Sequence, residues 1–313
     1  MFFEGSEKKL EVIIDSSSLK LRSLPREFWG KMVNVCDAEI LSSISNTDCD
    51  AYLLSESSLF VWDHCFVMIT CGNTVLVNSL EYFLKEFNTD HLQSVIFQRK
   101  NEYCSDLQKT SFSCDVKKIR ELIPTVCMRF GYLDEHHTYM LHLDRMFSPD
   151  QDDVTTELLM YHIQGDASEI LRQKDQDIQR IRDLIGLKEL FKDFIVDDHV
   201  FSPYGYSLNA IKEDKYVTIH ITPQEESSYV SFETNLNLNK DYPWVVDKVL
   251  NTFGPFSFDV VDFNTQTEVK ENGVRKINQF RENLKSGYTV NFSHFIKPKK
   301  EIELPTKLEG SDR

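Results

Sequence analysis

The sequence contains no apolar run that approaches membrane-spanning length, and no charged-then-apolar signal opens it. Its seven cysteines are unclustered and include no CxxC pair. We therefore expect a reduced, cytosolic (cytoplasmic) protein without a membrane partner. Cys65, Cys71 and His64 lack the spacing typical of zinc ligands, so we expect no metal site.

Basic residues are scarce, because 35 Lys and Arg stand against 50 Asp and Glu, for a formal net charge of −15. Nucleic acids and anionic membranes both require a positive protein surface, so neither is expected as a partner. The acidic balance mildly favours cationic small molecules, although many acidic proteins bind none. A hydrophobic content of 41% over 313 residues fits a globular protein with a sizeable core.

Long Gly/Ser/Pro linkers are also missing, so residues 1–313 are expected to form a single domain. The charged segment 164–198 predicts an exposed helical or loop excursion. The end of the chain, about 297–313, reads KPKKEIELPTKLEGSDR and predicts a solvated, flexible tail.

Short turn-bounded runs rich in β-branched and aromatic residues predict most of the secondary structure. They indicate strands at 10–15, 51–62, 65–71, 94–98 and 139–144, and three more across 206–236. Between two of these runs, Asp63-His64 predicts a tight hairpin.

Helical periodicity appears at 75–87 and 242–253. For the second helix, we expect Asp241 as the N-cap, Pro243 in the first turn and Gly254 at the end. Strands followed by a helix in both halves predict an α+β fold, with each sheet covered by helices on one face.

One polar tetrad, Ser55-Glu56-Ser57-Ser58, interrupts the apolar run YLLSESSLFVW. A serine hydroxyl can attack the preceding carbonyl and convert the peptide bond to an ester. Loss of the acyl group by β-elimination followed by hydrolysis leaves a pyruvoyl group, which forms a Schiff base with an amine and withdraws electrons from it. A Glu-Ser pair alone carries little weight, because polar positions on half-buried strands are common.

Several segments in sequence order make the chemistry specific. They are FFEGSEKKLEV (2–12), LSESSLFV (54–61), TCG (70–72), PYGYSLNAI (203–211) and TIHITP…SYVSFETNL (218–236). Together they closely resemble the eukaryotic S-adenosylmethionine decarboxylase family, pyruvoyl enzymes of polyamine synthesis, from residue 2 to about 236 and more loosely to about 295. The resemblance implies a four-layer αββα sandwich of two antiparallel β-sheets flanked by helices.

The implied activity is decarboxylation of S-adenosyl-L-methionine to S-adenosylmethioninamine, the aminopropyl donor for spermidine and spermine. Autocatalytic cleavage between Glu56 and Ser57 would give a β chain, 1–56, and an α chain, 57–313, that begins with the pyruvoyl group. The cofactor would therefore be covalent, with no metal and no pyridoxal phosphate. The implied partners are S-adenosylmethionine, the protein's own two chains and a second copy in a homodimer.

The resemblance also assigns catalytic roles. Ser207 would steady the ester-forming intermediate, and His220 would remove the α-proton of Ser57. Cys71 would return a proton to the substrate α-carbon after CO₂ leaves. Without the motifs, a core histidine and a buried structural cysteine would be the commoner interpretations.

Two amino-terminal acids, Glu4 and Glu7, match the family's active-site acids. Phe3 and Phe201 match the rings that sandwich the adenine, a stacking worth on the order of 1 kcal/mol per face. Glu56 matches a residue that contacts the substrate, whose sulfonium and ammonium groups suit acidic partners.

The sequence departs from the family at Gln224, where a glutamate usually grips both ribose hydroxyls. The amide keeps one acceptor but loses the charge-assisted pair, about 1–2 kcal/mol. Tyr204 replaces a common cysteine, a change we expect to be tolerated.

Four acids match the putrescine activator site of animal and fungal members: Glu11, Asp153, Glu157 and Glu233. However, Lys9 stands where those members have an apolar residue, and Ile69 where they often have a lysine. In plant members, a basic side chain at the Lys9 position replaces the activator's charge. We therefore expect weak or no stimulation by putrescine.

Two other functions stay open. A non-catalytic paralogue that binds and regulates an active decarboxylase is favoured by Gln224 and the divergent segment 98–200, but opposed by the intact LSESS motif. An amino-acid decarboxylase with a shifted substrate is disfavoured because both candidate adenine-stacking rings are present.

Overall fold

The computed structural model describes residues 3–17, 19–173, 176–225, 227–298 and 305, and every structural statement below concerns these residues. The first half of the chain builds one sheet. Its strands are β1 (Lys8–Ile14), β2 (Ile40–Ser45), β3 (Asp50–Leu54), β4 (Ser57–Val61), β5 (Cys65–Thr70), β6 (Leu92–Lys100), β7 (Thr125–Phe130) and β8 (Thr138–Leu143). They pair antiparallel in the order β2-β3-β4-β5-β1-β6-β8-β7.

The second half builds the other sheet. Its strands are β9 (Thr155–Tyr161), β10 (Ile195–Val200), β11 (Tyr206–Lys212), β12 (Lys215–Thr222), β13 (Tyr229–Thr234), β14 (Ser257–Phe263), β15 (Arg275–Asn283) and β16 (Thr289–Ile296). Their order is β10-β11-β12-β13-β9-β14-β16-β15. Adding eight to each strand number of the first sheet reproduces this order, so both halves share one connectivity.

Helices cover the outer face of each sheet. Over the first sheet lie α1 (Arg26–Asn34), α2 (Val77–Glu86) and α3 (Phe112–Arg120). Over the second lie α4 (Asp166–Leu171), α5 (Ile178–Ile185), α6 (Lys188–Phe191), α7 (Leu238–Asp241) and α8 (Val245–Phe253). Short 3₁₀ turns occupy Leu21–Ser23, Thr89–His91 and Ser105–Leu107. The αββα sandwich expected from the sequence is confirmed.

The two faces of β1 show how the layers are built. Leu10, Val12 and Ile14 are buried in the core beneath the helices. The alternate residues Lys9 and Glu11 face the second sheet, because successive strand side chains point to opposite faces. The space between the sheets therefore contains ionisable groups as well as apolar side chains.

The structure corrects three local predictions from the sequence. Residues 51–62 form two strands, β3 and β4, with Ser55 and Glu56 in the turn between them. Asp241 ends α7, whereas the next helix begins after an N-cap at Trp244, so Pro243 lies outside it. Gly254 caps that helix as expected, with a φ of 52° that favours glycine.

The segment 164–198 is less exposed than its charge suggested. Helices α4, α5 and α6 bury apolar side chains against the second sheet, among them Leu171, Ile181 and Leu190, and turn their charges outward. Lys297, at the start of the expected flexible tail, forms an ion pair with Glu271 at 2.6 Å. Most of the tail lies outside the described residues.

Candidate active site

The predicted cleavage peptide lies in a tight turn at the start of β4. Ser57 pairs with Leu54 across the hairpin, so Ser55 and Glu56 form a two-residue turn. Ser57 has a φ of +140°, which is unusual for any residue with a side chain and stores strain of about 1–3 kcal/mol. Its hydroxyl is buried and has no hydrogen-bond partner among the described residues. The nucleophile is thus enclosed, strained and free to react.

Two donors point at the carbonyl that Ser57 would attack. The Glu56 carbonyl oxygen accepts hydrogen bonds from the Cys71 backbone N–H at 2.9 Å and from the Cys71 thiol at 3.2 Å. Donors placed in this way stabilise negative charge that develops on the oxygen. The geometry therefore suits formation of a tetrahedral intermediate at Glu56.

The Cys71 thiol is kept protonated by its surroundings. Burial raises its pKa well above the ordinary value, and the nearby carboxyls of Glu56 and Glu7 raise it further. A protonated thiol can donate a proton but is a poor nucleophile. Cys71 is therefore suited to act as an acid.

The Glu56 side chain is packed against Gly72. A Cβ at residue 72 would lie 2.7 Å from Glu56 Oε2 and 3.2 Å from the Phe3 ring. Burial raises the pKa of Glu56 to about 7, against the opposing effect of Lys8. Glycine at 72 thus brings the carboxyl, the Phe3 ring and the cleavage turn together.

The two amino-terminal acids differ in their surroundings. The Glu4 carboxylate accepts hydrogen bonds from the backbone N–H groups of Ser6 at 3.2 Å and Cys104 at 3.1 Å. Glu7 accepts hydrogen bonds from the hydroxyls of Ser231 at 2.6 Å and Tyr229 at 3.2 Å. Burial between the sheets outweighs these bonds and raises the pKa of Glu7 to about 8. Glu4 anchors the amino-terminal segment, and Glu7 is largely protonated near neutral pH.

His220 and Ser207 lie opposite each other on adjacent strands of the second sheet. The register pairs these two residues, and His220 Nδ1 is 2.9 Å from Ser207 Oγ. Burial lowers the pKa of His220 to about 3, so the ring is neutral. Its other nitrogen, Nε2, is 3.3 Å from the hydroxyl of Ser58, the residue after the cleavage serine. The structure therefore joins the predicted base to the cleavage strand.

Gln224 makes a two-point contact with the amino-terminal segment. Its Oε1 accepts the Phe3 N–H at 3.1 Å, and its Nε2 donates to the Phe3 carbonyl at 2.5 Å. Arg172 supports the loop by donating to the carbonyls of Pro223 and Gln224. The amide thereby holds the backbone of a predicted adenine-stacking residue, a role that a carboxylate could not fill because it has no N–H to donate.

Phe201, the second predicted adenine ring, lies in the loop before β11. Its N–H donates to the Gly205 carbonyl at 2.9 Å, and Tyr204 lies within the turn that this bond closes. Its ring contacts His199 edge-on, with 4.7 Å between centroids. The adenine sandwich with Phe3 stays a prediction.

An ammonium group already lies among the predicted activator-site acids. Lys9 Nζ is 2.9 Å from Glu157 and 2.8 Å from Glu233, and all three side chains are buried. Burial alone lowers the pKa of Lys9, but the two carboxylates outweigh it and hold the pKa above its ordinary value. Ile69 lies beside Lys9 in the neighbouring strand β5.

The other two acids lie around this pair. Burial raises the pKa of Glu11 to about 7, with Lys9 opposing and Asp153 adding to the effect. Asp153 itself accepts a hydrogen bond from the Tyr288 hydroxyl at 2.5 Å. The predicted cluster is therefore assembled, but its centre contains the protein's own cation.

Comparison with known proteins identifies the family. A family model described as adenosylmethionine decarboxylase matches residues 1–301. The chain belongs to the adenosylmethionine decarboxylase family.

Curated relatives in this family carry the name S-adenosylmethionine decarboxylase proenzyme. The protein of Xenopus laevis is 32% identical over 286 residues, covering 85% of this chain and 84% of the relative. That of Leishmania donovani is 33% identical over 279 residues, covering 83% of this chain and 73% of the relative. The crystal structure of the Trypanosoma brucei AdoMetDC-delta26 monomer matches with a TM-score of 0.60 and 25% identity, covering 77% of this chain and 99% of that one.

The sequence analysis gave no role to three residues of this candidate site, of which it named only Ser58, as part of the polar tetrad. Ser58, Asn209 and Thr218 are fully buried and hydrogen-bonded to one another beneath the cleavage turn. A signal was available, because Asn209 follows Ser207 by two residues and Thr218 precedes His220 by two. In paired strands, that spacing places all four side chains on one face.

Among the described residues, one cluster has side chains that could ligate a metal ion. It consists of His136, Asp259 and His294 and lies outside the candidate active site. Asp259 already pairs with the buried ammonium of Lys100 and accepts from His294 Nδ1 at 2.7 Å. A resident cation therefore satisfies the carboxylate, which disfavours a metal ion at this place. Among the described residues, no helix is long and apolar enough to cross a membrane.

Proposed function

We propose that this protein is a self-processing, pyruvoyl-dependent decarboxylase of S-adenosyl-L-methionine that supplies S-adenosylmethioninamine for spermidine and spermine synthesis. The observation that carries the proposal is the Glu56–Ser57 peptide. Its carbonyl accepts two hydrogen bonds from Cys71, and within the described part of the chain its serine hydroxyl has no hydrogen-bond partner. The names of the relatives, which are decarboxylase proenzymes, support the same conclusion.

Processing begins when Ser57 Oγ adds to the carbonyl carbon of Glu56. The C–N bond then breaks, the nitrogen becomes the amine of Ser57, and an ester joins the two residues. A base, His220, removes the α-proton of Ser57, and the Cβ–O bond breaks with the Glu56 carboxylate as leaving group. Water then hydrolyses the dehydroalanine, releasing ammonia and leaving a keto group at residue 57.

The surrounding residues fit such a group, because residue 57 lies beside an acid, Cys71, and a partly buried carboxyl, Glu56. The pyruvoyl group would supply a carbonyl that captures the substrate amine and withdraws electrons as CO₂ leaves. Cys71, whose thiol stays protonated, holds a proton for the product carbon. Phe3 and Phe201 bind the adenine, and Glu7 stabilises the site as a neutral acid.

Lys9 takes the place of a diamine activator in this proposal. Its ammonium is bonded to Glu157 and Glu233, where putrescine would need to place a positive charge. Decarboxylation measured with and without putrescine should therefore give the same rate. Strong stimulation by putrescine would refute this role for Lys9.

A non-catalytic regulatory paralogue is the second candidate. The observation in its favour is Gln224, whose side-chain amide is hydrogen-bonded to the Phe3 backbone. Family members usually have a glutamate here, and its carboxylate would bind the ribose hydroxyls of the substrate. A homodimer and a cytosolic location stay predictions under either function.

A denaturing gel separates the two candidates. Cleavage at 56–57 should release a fragment of about 6 kDa from the 36.6 kDa chain. Intact mass should show the keto group on the larger fragment, and Ser57→Ala should stay uncut. If the purified wild-type chain is not cleaved and does not react with carbonyl-directed reagents, the enzymatic proposal is wrong.

A further inference from the structure

A chain of hydrogen bonds connects the cleavage strand to His220 through residues with no assigned role. Asn209 Oδ1 is 2.5 Å from Ser58 Oγ and 3.0 Å from Thr218 Oγ1. Thr218 Oγ1 is in turn 2.9 Å from His220 Nε2. Asn209, Thr218 and Ser58 are fully buried, so water cannot replace a missing partner.

The orientation of the Asn209 amide is fixed by the backbone of β3. Its Nδ2 lies 3.2 Å from the Tyr52 carbonyl oxygen, which can only accept a hydrogen bond. The amide nitrogen must therefore face Tyr52, and Oδ1 must face the two hydroxyls. Because an amide oxygen only accepts, both Ser58 and Thr218 donate their single protons to it.

Because the Thr218 proton is donated to Asn209, Thr218 Oγ1 can only accept a hydrogen bond from His220. His220 must then carry its proton on Nε2 and donate it to Thr218, with Ser58 Oγ at 3.3 Å as a weaker second acceptor. The remaining ring nitrogen, Nδ1, has a lone pair and accepts a hydrogen bond from the Ser207 hydroxyl at 2.9 Å. In this pattern the two hydroxyl protons of Ser58 and Thr218, the Ser207 hydroxyl proton and the imidazole N–H each have an acceptor.

We propose that Asn209, acting through Thr218, holds His220 as the Nε2–H tautomer and so makes Nδ1 the atom that accepts the proton during self-processing. The inference rests on the proposed function for its chemistry, but the tautomer itself does not depend on activity. In the elimination step the Ser207 hydroxyl releases the Nδ1 lone pair, Cα of Ser57 loses its proton, Nδ1 gains that proton, and the electron pair left on Cα expels the Glu56 carboxylate from Cβ. Asn209 and Thr218 are positioning residues, since they act through the imidazole.

The tautomer can be measured directly in the uncut chain. In a Ser57→Ala background with ¹⁵N-labelled histidine, long-range ¹⁵N–¹H spectra distinguish protonated Nε2 from protonated Nδ1, and a His220→Gln sample assigns the signal. We expect Nε2–H in the parent and in Thr218→Ser, which keeps the hydroxyl. Asn209→Leu frees the Thr218 proton to donate to Nε2, so the signal should shift to Nδ1–H. Nδ1–H in the parent, or an unchanged tautomer in Asn209→Leu, would overturn the proposal.

Processing kinetics supply the second readout, with Ser57 intact. Asn209→Leu and the isosteric Thr218→Val should slow keto-group formation by roughly tenfold while an ester that hydroxylamine cleaves after residue 56 accumulates. Thr218→Ser should process at the wild-type rate. Thr218→Val keeps the test decisive if Asn209→Leu does not fold, as judged by circular dichroism.

Formation of the keto group by Thr218→Val at the wild-type rate, without ester, contradicts the inference. An uncut wild-type chain would instead count against the proposed function, and the spectra of the Ser57→Ala background would still decide the tautomer.

Discussion

At the scale of single residues, two cysteines have opposite environments. Cys71 is buried beside Glu56, and its thiol pKa is raised well above the ordinary value by burial first and by that carboxyl second. Cys114 is exposed, and hydrogen bonds from Ser111 lower the pKa of its thiol. The thiolate is the reactive form, so the two should differ in both rate and pH dependence of alkylation.

We expect iodoacetamide at pH 7 to modify Cys114 first and to leave Cys71 almost untouched until the pH becomes clearly alkaline. Peptide mass spectrometry of samples quenched over time gives both rates. Cys71→Ser serves as the control, because it should not change the labelling of Cys114. Equal labelling of both thiols at pH 7 would contradict the assignment of Cys71 as a protonated acid.

Glu7 makes stability depend on pH. Its pKa is about 8 in the fold, against 4.5 for the ordinary side chain. Between these pH values the folded state binds a proton that the unfolded state does not. The stabilisation that the protonated Glu7 side chain gives the fold is therefore complete below pH 4.5 and is lost as pH rises through 8. Relative to Glu7→Gln, the wild type should therefore lose about 3 kcal/mol of stability between pH 5 and pH 8. Urea unfolding at several pH values measures this, and parallel curves for the two proteins would exclude it.

At the scale of elements, strand β1 carries the cation of the acidic cluster. Replacing Lys9 with methionine leaves Glu157 and Glu233 buried together without a counter-charge. We expect a loss of about 3–5 kcal/mol at neutral pH, the usual cost of removing one partner from a buried ion pair. Putrescine should restore much of the midpoint of thermal unfolding in this variant and have little effect on the wild type.

Lys20→Met provides the matched control for that experiment. Lys20 forms an exposed pair with Asp63, and such pairs contribute about 0–1 kcal/mol. Its midpoint should stay near that of the wild type and should not respond to putrescine. A Lys9→Met protein as stable as this control would contradict the buried ion pair.

Element prediction from the sequence was accurate where the local pattern was strong. The helix at 75–87 was predicted because its apolar residues recur on one face, which packs on the core. The strands β1, β5, β6 and β8 were predicted because they are short, turn-bounded runs rich in β-branched and aromatic residues. The turn at Ser55–Glu56 was missed because apolar residues continue on both sides of it, and only the hairpin register separates β3 from β4.

The helices within 164–198 were misjudged for another reason. Their charged residues dominate the composition. In α5 the apolar residues Ile178, Ile181, Leu184 and Ile185 do recur at the spacing of one helix face, a signal that the sequence analysis did not use. Strands such as β9 and β14 were not predicted at all, because buried acidic residues, Glu157 and Asp259, interrupt their apolar runs.

The site was predicted through motifs more than through physical pattern. Ser57, His220 and Cys71 were named from the resemblance, and the structure places His220 beside the strand that begins at Ser57. Lys9 was also noted, but only the structure shows it bonded to two carboxylates across the sheets. The partners Asn209 and Thr218 were missed although their two-residue spacing from Ser207 and His220 was a signal. Their contact with Ser58 joins strands far apart in sequence, and such a contact cannot be read from one strand alone.

At the scale of the whole molecule, a second buried ion pair joins the two sheets. Lys100 ends β6 in the first sheet, and Asp259 lies on β14 in the second. Lys100→Met should lower the free energy of unfolding by about 3–5 kcal/mol, because the carboxylate loses its counter-charge in the interior. The double variant Lys100→Met/Asp259→Leu should recover part of that loss. Urea unfolding followed by circular dichroism measures both.

Lys109→Met is the control, since Lys109 and Asp37 form an exposed pair. We expect its unfolding free energy to stay within about 0.5 kcal/mol of the wild type. If Lys100→Met unfolds at the same urea concentration as Lys109→Met, the interior pair is not a stabilising link between the layers.

The position of β1 in the first sheet has a consequence for any cut after residue 56. This strand belongs to the amino-terminal piece, yet both of its edges are hydrogen-bonded to strands of the carboxy-terminal piece, β5 and β6. The two cleaved chains would therefore stay associated, and size-exclusion chromatography and native mass spectrometry would detect a single particle that contains both. After separation in denaturant, the short chain would have to insert β1 between two strands that can already pair with each other. Efficient folding would therefore require the uncut precursor.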